Sequence, residues 1–185
     1  MTPAPRDIDA WAECLFDAEA VRFAIDRIAV RIALDLAEAR PVVVCVMNGG
    51  LPFTAALLAR LAFPLEVDYV HAKRYREAAP GEHPRGAELC VRVAPAHALE
   101  GRSVLLVDDV LDEGATLEAL KALVEERGAS AVRTAVLVDK AVAGRAFAAD
   151  YAALSAPDRY LVGWGMDYNG WYRNLQAIYA LEDLA

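Results

Sequence analysis

The chain has 185 residues, 57% of them hydrophobic and 25% charged, a composition that excludes an intrinsically disordered protein. That length fits one domain burying roughly 70% of its unfolded surface, so residues 1–185 are read as a single unit. A formal charge of −8 argues against nucleic acid or an acidic membrane as the main partner, and against a polyphosphate ligand unless a divalent cation intervenes.

In chain order, residues Met1 to Arg6 read as a frayed terminus. Asp17 is a candidate N-cap for a helix to about Glu38, with Val21, Ile25, Ile28, Ile32 and Leu36 along one stripe. Pro41 stops it, and Val42 to Val46 is a continuous apolar run, the pattern of a strand buried on both faces. Met47-Asn48-Gly49-Gly50 follows, then an apolar helix from about Pro52 to Leu61. Strand, glycine and helix together can cradle an anion, although Gly-Gly is more often only a turn. Leu65 to Val70 is the next strand. Residues 73–86 are polar, with two prolines and two glycines, and separate strand-like Val67–Ala72 from Leu89–Val93. A loop of that length is a lid, a disordered segment or a solvated hairpin tip; its basic residues and Tyr75 could close over an anion.

The most informative stretch is 104–116. Val104 to Val107 reads as a strand buried in a parallel sheet, and Asp108 and Asp109 follow at once. Asp112, Glu113, Gly114, Ala115 and Thr116 come next, and Leu117, Leu120, Leu123 and Val124 have helical spacing. Strand, acidic loop and helix start together form a phosphate-binding geometry, since free N–H groups and the helix dipole meet the anion and the glycine permits a tight turn. An ordinary capped turn would account for Asp and Thr alone. It does not account for two carboxylates ending a buried strand, which are costly there unless a cation or ligand hydroxyls meet them.

Ala131 to Val138 is a further strand ending in Asp139-Lys140. A lysine there can donate to a ligand carbonyl, although a solvated surface lysine is the commoner case. Residues 141–158 are Ala-rich and uninformative, with a turn at 156–158. Residues 159–175 hold five aromatics, Tyr160, Trp164, Tyr168, Trp171 and Tyr172, around Asp167, Asn169 and Arg173. Packing explains most of these rings. No Gly-x4-Gly-Lys-Ser/Thr occurs, and Gly163-x-Gly165 lacks the third glycine of a dinucleotide fingerprint.

Two segments carry a family resemblance. Residues 104–116, four apolar residues, two acids, two apolar residues and Asp-x-Gly-x-Thr, closely resemble the phosphoribosyl-pyrophosphate (PRPP) signature of type I phosphoribosyltransferases. The order Val-Gly-aromatic-Gly-apolar-Asp-Tyr-Asn after Tyr160, with aromatic-Arg beyond it, resembles the closing segment of the hypoxanthine-guanine branch. The resemblance runs from about residue 15 to the end. It implies an α/β fold, a parallel sheet flanked by helices, with a small hood from the chain's terminal segments, assembled as a homodimer or homotetramer. It also implies transfer of the phosphoribosyl group of PRPP to hypoxanthine or guanine, with Mg²⁺ as cofactor.

The residue roles are implied by the same resemblance. Asp108 and Asp109 would hold the ribose hydroxyls and, with Asp167, Mg²⁺. Asp112, Glu113, Gly114, Ala115 and Thr116 would cradle the 5-phosphate, and Asp112 would also act as general acid/base at purine N7. Met47, Asn48 and Gly49 would hold pyrophosphate, with a cis Met47–Asn48 peptide, and Arg173 would contact it as a second catalytic residue. Lys140 would bond O6, Tyr160 would stack on the purine, and the Leu161 and Asp167 carbonyls would accept from a 2-amino group. Tyr75 would belong to the lid. Four positions depart from the usual pattern: Asn48 and Ala115 replace basic residues, Arg74 a serine and Glu113 a threonine.

The rival from another class is a regulatory RNA-binding protein of the pyrimidine attenuation type, which shares the PRPP signature; the net charge argues against it. A phosphoribosyltransferase for xanthine or adenine is the rival among enzymes. Cys14, Cys45 and Cys90 are odd in number and lack metal spacing, which together with the absence of a leader pattern implies a cytoplasmic protein.

Overall fold

The computed structural model describes residues 7–75 and 88–181. A short 3-10 turn, Ile8–Ala10, leads into strand β1, Ala12–Phe16. Asp17 caps helix α1, Ala18–Leu36, as its position predicts: its carboxylate accepts from the N–H groups of Glu19 and Ala20 at 3.0 and 2.8 Å. The predicted stripe Val21, Ile25, Ile28, Ile32 and Leu36 is the buried face of that helix.

Strand β2, Val42–Met47, is followed by α2, Leu51–Leu58, one turn shorter than its apolar run. Strand β3, Glu66–Tyr75, reaches into the predicted lid and pairs antiparallel with β4, Glu88–Val93. Lys73 to Tyr75 therefore belong to a strand, and the rest of the lid, 76–87, lies outside the described residues. Strand β5, Ser103–Leu111, and helix α3, Ala115–Glu126, form the next pair. Here the expectation is corrected, because β5 continues through both aspartates where an acidic loop was expected. Its neighbour β6, Ala131–Lys140, supplies the pairing that sustains it, with Asp108 opposite Val136 and Val110 opposite Val138. Strand β7, Tyr151–Ala156, was invisible among the alanines.

These strands order as β4-β3-β2-β5-β6-β7, parallel except for edge strand β4. One face packs on α1 and α2 through Val43, Leu105, Val107, Leu137 and Ala153; the other packs on α3 through Val42, Val44, Leu106 and Val136. The alternation along each strand thus divides the core between two layers. From β2 the chain builds outward to β3, then returns to place β5 on the other side of β2. The ends of β2 and β5 therefore form a topological switch point, where open α/β sheets leave a crevice.

Strands β8, Leu161–Val162, and β9, Ile178–Leu181, form a second sheet with β1, in the order β1-β9-β8. The hood is therefore built from both ends of the chain, and its β1 strand had no signal strong enough to read. Arg159 ties it together, donating to the carbonyl of Leu181 at 3.2 Å and pairing with Glu13 on β1. Trp11, Tyr160, Tyr168 and Tyr172 pack around it, with Tyr168 edge-on to Trp11 and to Tyr160 at 5.5 and 5.8 Å. No helix among the described residues is long and apolar enough to cross a membrane.

At the opposite end of the sheet, buried Asp68 accepts from the N–H groups of Tyr69 and His97 at 2.7 and 2.8 Å and from His97 Nδ1 at 2.8 Å. Burial alone would raise its pKa, but these bonds prevail and hold the carboxyl below its ordinary value. Its stabilisation is therefore present above the unfolded value of 3.8 and lost as pH falls through the lower folded value. Asp68→Asn should cost about 1–3 kcal/mol at pH 7. In urea titrations repeated at decreasing pH, the gap from the parent should close below the ordinary carboxylate range.

Candidate active site

Two strand ends meet at the switch point. Asp108 and Asp109 are 8% and 9% exposed, so both residues are buried within the last part of β5. The N–H of Asp109 donates to Asp108 Oδ1 at 2.9 Å, and the N–H of Val110 to Asp109 Oδ1 at 2.8 Å. Burial raises the pKa of both groups; the Asp109 charge pushes Asp108 further, while Asp109 is partly relieved by its hydrogen bonds and by Arg173. The site thus holds carboxylates that favour a cation or hydroxyl donors over an empty, dry environment.

The loop from β2 is pressed onto this pair. A Cβ on Gly49 would meet Asp109 Oδ2 at 2.0 Å, and one on Gly50 would meet the carbonyl oxygens of Val107 and Val46 at 2.6 and 2.7 Å. The Gly-Gly pair is therefore a close approach of one loop to the neighbouring strand, beyond what a simple turn needs. The Met47–Asn48 peptide is cis, as expected. Asn48 is exposed, and the Met47 thioether lies 3.8 Å from Cys45 Sγ.

Beyond β5 the chain enters α3 through Gly114, whose φ of 86° only glycine adopts readily. No side chain caps this helix, and its first backbone bond runs from the Glu118 N–H to the Gly114 carbonyl at 2.9 Å. The N–H groups of the first turn thus have no intrahelical acceptor, as an anion cradle requires. Glu113 is exposed at its rim, so its carboxylate is screened by water; Ala115 and Thr116 are half-buried.

Lys140 is no surface lysine. Its side chain is 8% exposed, with Nζ 3.0 Å from Asp112 Oδ2 and 3.5 Å from Asp158 Oδ1. Asp158, Arg145 and Phe147 belong to the Ala-rich stretch in which only a turn was legible, yet all three touch the site. A cleft of about 420 Å³ is lined by residues 108–117, Lys140, Val142 and Asp158. It adjoins a second of about 250 Å³, lined by Asp109, Asp112, Lys140, Tyr160, Leu161 and Asp167.

The hood closes that second cleft. Arg173 Nη2 lies 2.5 Å from Asp167 Oδ1, its Nη1 donates to the Gly165 carbonyl, and the Gly170 N–H donates to Asp167 Oδ2 at 2.6 Å. Tyr160 Oη donates to the Asp167 carbonyl at 2.9 Å, which leaves that oxygen one lone pair. Burial and the Asp167 charge raise the Tyr160 pKa. Every predicted site residue other than Tyr75, of whose side chain nothing is described, therefore lies around one crevice or on the two loops and hood that border it. Among the described residues, no cluster of three or more His, Cys, Asp or Glu side chains forms a metal cage. Asp108 and Asp109 do fit a cation that takes its remaining ligands from a bound substrate, the usual habit of Mg²⁺.

The phosphoribosyl transferase domain family matches residues 12–168. A hypoxanthine-guanine phosphoribosyltransferase of Streptococcus pneumoniae is 31% identical over 162 residues, 86% of this chain and 87% of that protein. The chain belongs to the hypoxanthine-guanine phosphoribosyltransferase family. It is an enzyme, a pentosyl transferase. A hypoxanthine-guanine-xanthine phosphoribosyltransferase of Tritrichomonas foetus is 29% identical over 185 residues, 99% of this chain and 98% of that one. Among solved structures, a hypoxanthine phosphoribosyl transferase of Trypanosoma cruzi aligns with a TM-score of 0.82 at 30% identity, covering 96% of this chain and 95% of that one.

The contact between Gly49 and Asp109 is open to a direct check. Gly49→Ala should displace the Asp109 carboxyl and cost about 1–3 kcal/mol of stability, the usual penalty for overpacking. A urea titration with a crystal structure of the variant reads both effects; an unmoved Asp109 at unchanged stability would contradict the close approach.

Proposed function

We propose that this enzyme salvages purines, transferring the 5-phosphoribosyl group of PRPP to N9 of hypoxanthine or guanine and releasing pyrophosphate. One observation carries the choice of base: Lys140 Nζ sits 3.0 Å from Asp112 Oδ2 on the wall shared by both clefts. A 6-oxopurine presents two adjacent acceptors on one edge, O6 and N7. Lysine offers only donors and suits O6; a carboxyl can exchange a proton with N7. An adenine edge would set its 6-amino donor against the ammonium.

In the reaction the bond from C1 of the ribose to pyrophosphate oxygen breaks, the bond from C1 to N9 forms, and the purine's proton passes to Asp112. Positive charge grows on the ribose as the C1–oxygen bond loosens, so positioning and electrostatics carry most of the catalysis. The N–H groups from Asp112 to Thr116 cradle the 5-phosphate. Asp108 and Asp109 accept from the ribose hydroxyls, and Met47 to Gly49 with Arg173 face the pyrophosphate. Tyr160 stacks on the base, and the Leu161 and Asp167 carbonyls accept from the 2-amino group of guanine. Asp108, Asp109 and Asp167 would hold Mg²⁺, which when bound neutralises the leaving pyrophosphate and reconciles an acidic chain with a polyanionic substrate. Tyr75 belongs to the strand that leads into the lid.

The three cysteines are free, in keeping with a cytoplasmic setting. Assembly as a homodimer or homotetramer would cover exposed apolar side chains such as Phe23, Val30 and Leu34 on α1 and Val67 and Tyr69 on β3.

Two variants test the assignment. Asp112→Asn keeps the shape and removes the proton acceptor, so turnover should fall about 10²–10⁴-fold, with a much smaller change in PRPP binding. Steady-state kinetics beside calorimetric titration with PRPP separates the two; near-normal turnover would leave Asp112 a structural role only. The unmodified enzyme should discriminate against adenine by about 10⁴, because a site built to bond one group rejects an analogue that leaves its donor unpaired. Lys140→Met should lower activity on both 6-oxopurines and narrow that gap. A spectrophotometric assay of hypoxanthine, guanine, xanthine and adenine reads it, and an unchanged base ranking would refute the role of Lys140.

A further inference from the structure

The loop between β6 and β7 contributes one arginine that bonds to the ends of both catalytic strands. The Arg145 side chain is 11% exposed. Its Nη1 donates to the carbonyls of Leu111, Asp112 and Lys140 at 3.2, 3.1 and 3.0 Å. Its Nη2 meets Asp139 Oδ1 at 2.5 Å, and its Nε donates to the Phe147 carbonyl at 2.8 Å. One guanidinium therefore joins the ends of β5 and β6 to the loop that follows.

We infer that Arg145 is the positioning residue that shapes the phosphate cradle and sets Lys140 beside it, an inference that rests on the phosphoribosyl-transfer reading above. The reason lies in the peptide group. In a trans peptide the C=O and N–H point in opposite directions. Leu111 and Asp112 turn consecutive carbonyls onto Arg145, so the next two N–H groups, those of Asp112 and Glu113, face away from it together. Successive N–H groups on one side form an anion-binding nest. The carbonyl of Lys140 on the same nitrogen fixes the root of the lysine that lies 3.0 Å from Asp112. Phe147 completes the support, since a Cβ on Gly114 would meet its Cβ at 2.9 Å. Arg145 reaches these groups through carbonyls and one carboxylate, so it orders the cradle without contacting substrate.

Lysine in its place keeps the charge but lacks the fork that spans several acceptors. Arg145→Ala and Arg145→Lys should both lower kcat/KM for PRPP, by about 10²-fold for a loss of positioning, with much of it in KM for PRPP. Added guanidinium ion should restore part of the Arg145→Ala activity, and sodium chloride at equal ionic strength should not. A readout independent of turnover is the backbone order parameter of residues 111–114 and 140–141 by nitrogen-15 relaxation, expected to fall from about 0.85 toward 0.6 or below. If Arg145→Ala does not fold, Arg145→Lys carries the same measurements. Order parameters equal to the parent's would overturn the clamp whatever the kinetics. Lowered order with an unchanged KM for PRPP would overturn its role in shaping the cradle. A parent protein that transfers to no purine would refute the proposed function instead, and relaxation would still decide the clamp.

Discussion

The structure depends on carrying two carboxylates to the buried end of a strand. Asp108 and Asp109 remain in β5 because β6 pairs with it past them, and pairing excludes the water that would solvate them. Backbone N–H groups of Asp109 and Val110 offset part of that cost. The neighbouring loop then has no room for side chains, which places Gly49 and Gly50 where they are. The acids and the glycines are one packing problem solved once.

Cations border the crevice from three directions. Lys140 stands between Asp112 and Asp158, Arg173 between Asp167 and the Gly165 carbonyl, and Arg145 behind both strand ends. None of them neutralises Asp108 directly. Fixed charges of this kind stabilise a changing charge distribution without reorganising, because they are held by the fold before any ligand arrives.

Much of this was legible in the sequence where the pattern was long. The strand–acid–glycine–helix order at 104–116 located the crevice, and the Asp17 cap and the stripe of α1 were right in detail. Local patterns failed where a partner decided the outcome. Nothing in Asp108-Asp109 says that a strand continues through them; β6 does. Strand β7 is half alanine and takes its conformation from its neighbour β6 and from α1. Arg145 and Phe147 stood in the same Ala-rich tract as single residues without periodicity, the only arginine and the only aromatic between Lys140 and Asp150. Their meaning comes from contacts 30 and more residues away in sequence. The pairing of β1 with β9 was equally out of reach, because long-range pairing leaves little local trace.

That pairing has a consequence for the order in which the site comes into being during synthesis. Residues 42–156 contain the whole six-stranded sheet and the turn from β5 into α3, all closer together in sequence than the two strands of that pair. The hood instead waits for Ile178–Leu181, which must emerge before Ala12–Phe16, made first, finds its neighbour. Such distant contacts close late, since the entropy of bringing the ends together precedes any gain from joining them. The wall of the crevice built by β5 and the start of α3 therefore rests on contacts that can close before those of the half lined by Tyr160, Leu161 and Asp167.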